Sequence, residues 1–284
     1  MSKIYMRYAS DLHLEMYGEH HDLDLLPINK LWNFNSNKTD TYYLALVGDI
    51  GNPFHLNLSR FFDKIANKYK HIFYIAGNHE YYSIEKIKNN INDHKKEISI
   101  LCQKYQNIYF MDNDIITIDG INFIGSTLWT NIPQDKSEIV KKSMNDYRYI
   151  YNNDKTNITI ENTNNWNAES INFIKKSLEL VDGPIVILTH HAPLFNNPQL
   201  NILCADQKYN TSDIIYAFHN DLDWILDESY DIMLWIYGHT HYSNKFTHKN
   251  IIFATNQLGY QYENTGYGEF SAIELNELIL GKFL

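Results

Sequence analysis

An α/β fold is predicted by two features of the chain. Short apolar runs recur, each stopping at a small polar cluster, and between several of them lie segments with apolar residues three and four apart. Runs of the first kind read as buried strands and segments of the second as amphipathic helices; their alternation is the pattern of α/β proteins. In such sheets ligands gather beyond the carboxyl ends of the strands, so the polar clusters mark the expected site.

The strand-like runs at residues 4–10, 41–47, 71–76, 184–189 and 232–237 precede DLHLE, GDIGN, GNHE, HHAP and GHTH in turn. Further strands are expected at residues 115–118, 121–125, 250–255 and 268–275. Helical spacing covers residues 56–69, 84–105, 163–181 and 221–228. The Asn- and Asp-rich stretch 145–167 and the stretch 196–212 read as loop excursions, and long loops within a compact domain often bind ligands. No internal repeat or Pro/Gly/Ser linker divides the chain, so one domain over residues 1–284 is expected.

At 284 residues, 44% hydrophobic and 14% aromatic, the chain has enough apolar surface for a sizeable core. No apolar run approaches the ~20 residues that span a bilayer, so a soluble protein with no membrane partner is expected. The start MSKIYMRYAS lacks the apolar stretch of a secretory signal, and the cysteines are Cys102 and Cys204 alone; both features suggest a reducing, cytoplasmic setting. A net charge of −10 disfavours nucleic-acid polymers as partners, since phosphate backbones select basic surfaces. An anionic substrate would need a local positive source.

The clusters contain one. Side chains two apart in an extended segment point the same way, which pairs Asp11 with His13 and His239 with His241, both pairs facing a common point. Asp49, Asn78 and His190 complete a set too large for one tetrahedral zinc and suited to two divalent ions sharing a carboxylate, for which Asp49 is the candidate bridge. Oxygen and imidazole donors without thiolate fit Mn, Fe, Zn or Ni.

The ordered set DLH, GDIGN, GNHE, THH and GHTH, spanning Asp11 to His241, resembles the calcineurin-like metallophosphoesterase superfamily of binuclear-metal phosphoesterases. That resemblance implies an αββα sandwich of two mixed sheets flanked by helices, with two divalent metal ions at the sheet edge. Manganese is the first expectation, with Fe, Zn, Ni or Mg as alternatives. One ion would be held by Asp11, His13, Asp49 and His241, the other by Asp49, Asn78, His190 and His239. His79 would protonate the leaving-group oxygen or steady transition-state charge. A water between the metals, its pKa lowered to roughly 7, would attack phosphorus in line as hydroxide. Two dications less two carboxylates and one hydroxide leave a formal charge of about +1, so a phosphate ester would bind within an acidic protein.

Relatives often carry Asp and Arg after the GD motif, where this chain has Asn52 and Pro53. His79 would thus lack an anionic partner, and the missing Arg points away from phosphoprotein phosphatases. Of the adjacent His190 and His191, His190 is taken as the ligand because it directly follows the strand. The segments 125–130, 144–150 and 256–260 are similar to those of one uncharacterised microbial branch, with Arg148 a candidate phosphate clamp and Trp129 or Tyr147 a candidate platform for a flat group. Asn52 is a further candidate substrate contact. His20, His21, His55, His71, His94, His219 and His248 fit no motif and read as surface or structural residues. The expected function is hydrolysis of a small anionic phosphate ester, a phosphodiester or nucleotide-like compound. The alternatives are a nuclease using the same metals but needing a basic groove, a phosphoprotein phosphatase, and an idle scaffold, which would have lost ligands.

Overall fold

The computed structural model describes residues 2–37, 39–83, 89–153, 156–226 and 229–281. In chain order the first half carries β1 (Ile4–Ala9), β2 (Thr41–Val47), α1 (Leu56–Ile65), β3 (His71–Ile75), α2 (Ile91–Cys102), β4 (Ile108–Phe110), β5 (Asp114–Ile118) and β6 (Ile121–Ser126). There follow α3 (Ser137–Ser143), α4 (Asp146–Tyr149), the hairpin of β7 (Tyr151–Asn153) and β8 (Thr156–Asn157), and α5 (Ile160–Leu180). Strands β9 (Ile185–Thr189), β10 (Ile232–Ile236), β11 (Asn244–His248), β12 (Ile251–Thr255) and β13 (Ala272–Glu274) precede α6 (Leu275–Gly281).

The strands build two mixed sheets. One has the order β13-β1-β2-β3-β4, with β1 to β4 parallel and β13 antiparallel at its edge. The other has the order β11-β12-β10-β9-β6-β5, parallel except for β11 and β5 at the two edges. Between the sheets, Met6, Tyr43, Ala45, Val47, Phe73 and Ile75 meet Phe123, Val186, Leu188, Leu234 and Ile236. Phe73 and Phe123 stack there with ring centroids 4.1 Å apart; truncating either to Ala removes a full aromatic ring from a close-packed core, a loss of about 3–5 kcal/mol. The outer face of the first sheet, through Leu44, Leu46, Ile72 and Tyr74, packs on Phe61, Phe62 and Ile65 of α1 and Ile98 and Leu101 of α2. The outer face of the second packs Ile185, Ile187, Trp235 and Phe253 against Ile174 and Leu178 of α5. Layering is thus αββα. Because both faces of the central strands are buried, they read as continuous apolar runs rather than alternating ones.

Differences from the sequence reading lie mostly at ends and edges. Helix α2 begins at Ile91 behind an Asn90/Asp93 capping box, and residues 84–88 of the expected helix lie outside the described residues. Residues 145–167 are not one loop: they hold α4, a small hairpin and the first turns of α5, which starts at Ile160 because Thr159 and Asn162 form a reciprocal cap. Asn residues in that stretch therefore cap and solvate a helix. Residues 221–228 give only a 3-10 turn at Asp223–Ile225, with residues 227–228 outside the described set. The expected strand at 268–275 shortens to β13, and the edge strands β4 and β11 were not expected. The stretch 196–212 carries 3-10 turns at Pro198–Leu200 and Gln207–Tyr209. No helix among the described residues is long and apolar enough to cross a membrane.

Candidate functional site

Parallel pairing brings the carboxyl ends of β1, β2 and β3 to one edge of the first sheet, and those of β9 and β10 to the second. The turns beyond them interlock: Asp11 N–H donates to Gly48 O (3.0 Å), His13 N–H to Asp49 O (2.9 Å) and Gly238 N–H to His190 O (2.8 Å). Asp11, His13, Asp49, His239 and His241 have φ of 55°, 48°, 53°, 70° and 48°. The extended pincers expected from alternation are therefore corrected: left-handed turns aim these side chains, at a cost of about 1–2 kcal/mol per residue. Surrounding contacts hold that strain in place, as strained backbone at ligand sites requires. Glu80, the carboxylate of GNHE, turns away from the cluster and accepts from Asp49 N–H (2.8 Å), Ile50 N–H (2.7 Å), Gly77 N–H (2.7 Å) and the Tyr74 hydroxyl (3.0 Å). The glycines of GD and GN are required by space, since a Cβ at Gly48 would strike the His190 ring and one at Gly77 would strike Asp49 Oδ1.

Three groups of donor atoms result: Asp11 with His13 and His241, Asp49 with His190 and His239, and His13 with Glu15 and His79; the first two hold the expected ligands. In every ring the outer nitrogen is committed elsewhere. His190 Nδ1 lies 2.9 Å from Val47 O, and His239 Nε2 lies 3.2 Å from Ala217 O. His241 Nδ1 lies 2.5 Å from Glu263 Oε2, and His13 Nδ1 lies 3.4 Å from Glu15 Oε1. A carbonyl or carboxylate there calls for an N–H, which leaves the other nitrogen facing inward. His190 Nε2 then sits 3.1 Å from His239 Nδ1, 3.1 Å from Asn78 Oδ1 and 3.4 Å from Asp49 Oδ1. His241 Nε2 sits 3.1 Å from His13 Nε2 and 3.5 Å from Asp11 Oδ1. The Asn78 amide is oriented by donation from Nδ2 to Asp146 Oδ1 (2.8 Å), which frees its oxygen for the cluster. Carboxylate oxygens, the Asn78 oxygen and inward ring nitrogens thus converge in the first two groups, although Ser10 Oγ–H and His239 N–H also donate to Asp11 and His79 N–H to Asp49. That arrangement fits a pair of cations, and its oxygen and imidazole donors fit divalent transition ions.

His191 turns out of the cluster. Its Nδ1 bonds Thr127 O at 3.1 Å, its ring lies among Trp129 and His239, and burial together with the neighbouring His190 pushes its pKa down to about 3.

His79 has the anionic partner that Asn52 seemed to deny it. Glu15, two residues after His13, places Oε1 3.1 Å from His79 Nδ1. Burial alone would lower the His79 pKa, but Asp49 and Glu15 outweigh it and raise it to about 9. Burial likewise works against the Glu15 charge, yet His13 and His79 hold its carboxyl down to about 2. The ring of His79 stacks on Tyr82 (centroids 4.2 Å), and its Nε2 is 3.3 Å from the Tyr260 hydroxyl.

The three expected substrate contacts lie elsewhere. Asn52 is buried, with Nδ2 donating to Tyr82 O (2.6 Å) and Oδ1 accepting from Phe54 N–H (3.0 Å), so it shapes the loop behind His79. The exposed guanidinium of Arg148 is engaged by Lys142 O (2.5 Å) and Asn145 Oδ1 (3.2 Å). Trp129 is a core residue against Tyr81 and Trp166, and Tyr147 is buried beside Thr163. Sequence reading missed Glu15, Asp146, Tyr260 and Glu263; Glu15 had a signal in its spacing from His13, while the others are brought in by folding alone.

A cavity of about 240 Å³ opens over Asn78, His79, His239 and His241, walled by Met144, Phe218 and Tyr260. A second, of about 460 Å³, begins at His13 and is walled by Met16, Tyr17, Tyr260 and Tyr262.

The profile of the calcineurin-like phosphoesterase family matches residues 8–243. The chain is 46% identical over 282 residues, 97% of its own length and 98% of the relative, to "Uncharacterized protein L509" of Acanthamoeba polyphaga mimivirus. Among solved structures, phosphopantetheinyl hydrolase from Mycobacterium tuberculosis superposes with a TM-score of 0.67 at 15% identity, covering 93% of this chain and 94% of that one. The protein TT1561 of Thermus thermophilus does so with a TM-score of 0.52 at 9% identity, covering 90% of each chain. At such identities the likeness is one of fold.

Proposed function

Because this chain belongs to the calcineurin-like phosphoesterase family, whose members are metal-dependent hydrolases of phosphoesters, we propose that it hydrolyses a small phosphodiester or nucleotide-like ester at this site. Asp11, His13 and His241 would hold one divalent ion, Asn78, His190 and His239 the other, and Asp49 both. The convergence of inward lone pairs in two adjacent groups is the observation that carries the proposal. When bound, such an ion pair supplies Lewis acidity and a nucleophile at neutral pH. Manganese is our first choice among the divalent ions, Mn, Fe, Zn and Ni, that oxygen and imidazole donors without thiolate suit.

The protein's own residues supply the rest. Glu263, Glu15, Val47 O and Ala217 O fix the ring tautomers of the histidines. Asp146 turns the Asn78 oxygen inward. His79, held at Nδ1 by Glu15, lines the first cavity and keeps a proton for the departing oxygen. A nucleic-acid polymer is disfavoured by the net charge of −10 and by the absence of Lys and Arg from the described lining of both cavities.

Elemental analysis of the purified protein, paired with phosphate and alcohol release from a panel of mono- and diesters, tests the reading. Close to two transition ions per chain and turnover of a diester are expected. No metal, with none taken up from Mn or Zn solutions, would overturn it.

A further inference from the structure

The two cavities adjoin at the proposed centre, each lined by different ligand histidines. The first contains His241 in its lining and the second His13, and those two rings face each other with Nε2 atoms 3.1 Å apart. Tyr260 and Asn145 line both, so they form a partition beside the centre rather than a floor beneath one of the cavities. A phosphorus atom held at the centre therefore has room for a substituent on each side.

The chemistry of the second cavity differs from that of the first. Apart from His13 its described lining has no ionisable group other than phenols: Met16, Tyr17, Tyr260 and Tyr262 supply rings and a thioether, and Gln261 supplies an amide. Tyr260 leans over His13 with centroids 4.7 Å apart, and Tyr262 continues the aromatic wall 5.8 Å further out, tilted by 30°. Tyr262 is 84% exposed. A ring of that size left in water next to other rings gains most from a flat apolar group laid against it. Neither cavity has a Lys or Arg in its described lining, and Glu263 borders the first, so away from His79 and the ligand histidines the walls offer no cation to a second anionic group.

We infer that the cleft between Tyr17, Tyr260 and Tyr262 binds a neutral, flat, aromatic or heteroaromatic arm of a phosphodiester whose other arm lies in the first cavity. This rests on the phosphodiesterase reading above. His79 lines the first cavity and not the second, so the arm in the first cavity is the one that leaves. The P–O bond to that arm breaks, a P–O bond to the oxygen of water forms, and one proton of the water ends on the departing alcohol. The product retained by the aromatic cleft is a monoester of the flat arm.

The test compares bis(4-nitrophenyl) phosphate with methyl 4-nitrophenyl phosphate, which lose the same group and differ in the arm that stays. The quantity read is the ratio of their kcat/KM values in the metal-loaded wild type, in Tyr262→Ala and in Tyr262→Phe. Stacking on one aromatic face is worth roughly 1–3 kcal/mol, so the ratio is expected to fall about fivefold or more in Tyr262→Ala, through KM of the bis-aryl substrate, and to be kept in Tyr262→Phe. A ratio unchanged in Tyr262→Ala and in Tyr17→Ala, with both diesters still hydrolysed, would overturn the cleft and leave the phosphodiesterase reading standing. Failure of the wild type to hydrolyse either diester would overturn that reading and this inference with it.

Discussion

Replacing Glu15 by Gln removes one charge and keeps an oxygen able to accept from His79 Nδ1, so it isolates what the carboxylate contributes. That oxygen is 3.1 Å from the imidazole nitrogen and belongs to a side chain that is 11% exposed. A hydrogen bond to a charged group contributes about 1.5–3 kcal/mol. Gln retains a neutral hydrogen bond, so the charge accounts for about 1–1.5 kcal/mol of this, and turnover near neutral pH should drop by roughly 5- to 13-fold. The sign of the pH effect follows as well. Asp49 and Glu15 together hold the His79 pKa near 9, and cations bound at Asp49 would cancel its share, leaving Glu15 as the principal anion. A group that must be protonated to act is lost as pH rises through its pKa, so the alkaline limb of the kcat profile should move to lower pH in Glu15→Gln. Stopped assays of a diester from pH 6 to 10, with metal content measured on each sample, give both quantities. Unchanged turnover and an unmoved alkaline limb would refute the pairing of Glu15 with His79. Loss of metal would show instead that Glu15 acts through His13, whose Nδ1 is 3.4 Å from the same oxygen.

Two further outcomes are expected. His79→Ala should lower turnover by roughly 100-fold or more while both metals stay bound; metal loss on elemental analysis would make His79 a ligand. His219, buried against Phe195 and depressed by that burial from 6.5 to about 4, is neutral in the folded protein. Its contribution to stability is complete above the unfolded pKa and lost as pH falls toward 4. From pH 7.5 to 5.5 the wild type should therefore lose about 1 kcal/mol more than His219→Leu in urea unfolding, and equal losses would refute the assignment.

Much of the fold was legible because buried parallel strands leave uninterrupted apolar runs, and β1, β2, β3, β9 and β10 each end in a motif that names its place. The helix at Ile160 carried its own start signal in Thr159 and Asn162, which the surrounding Asn and Asp obscured. Edge strands β4 and β11 have one neighbour each; β4 is only three residues, IYF, too short a run to stand out, and β11, NKFTH, is mostly polar. At the site, the inward-facing residues could be read from motif order, but not the way they are held. Left-handed φ at Asp11, His13, Asp49, His239 and His241 is invisible to any period-two rule. The anchors Asp146, Tyr260 and Glu263 come from segments whose distance in the chain says nothing of their distance in space. Asn52 misled in the other direction: its loss of a carboxylate was plain, while the replacement at Glu15 lay on a different strand end.

The same geometry specifies what must leave when metal arrives. Two buried carboxylates, Asp11 and Asp49, face imidazole nitrogens; Ser10 Oγ–H and His239 N–H donate to Asp11 and His79 N–H donates to Asp49, and in metal-free protein protons on the rings supply the remaining positive charge. Burial opposes charging His190 and His241, but Asp49 raises His190 to about 9, and Asp11 with Glu263 raises His241 to about 10. Both are therefore protonated at neutral pH, each on the nitrogen that would bind an ion. Metal and proton compete for the same lone pair, so loading two ions at pH 7.5 should release about two protons per chain, and apparent metal affinity should fall as pH drops. Calorimetric titration with Mn in buffers of different ionisation enthalpy measures the release directly. A binding enthalpy independent of the buffer would refute the competition between metal and proton at His190 and His241.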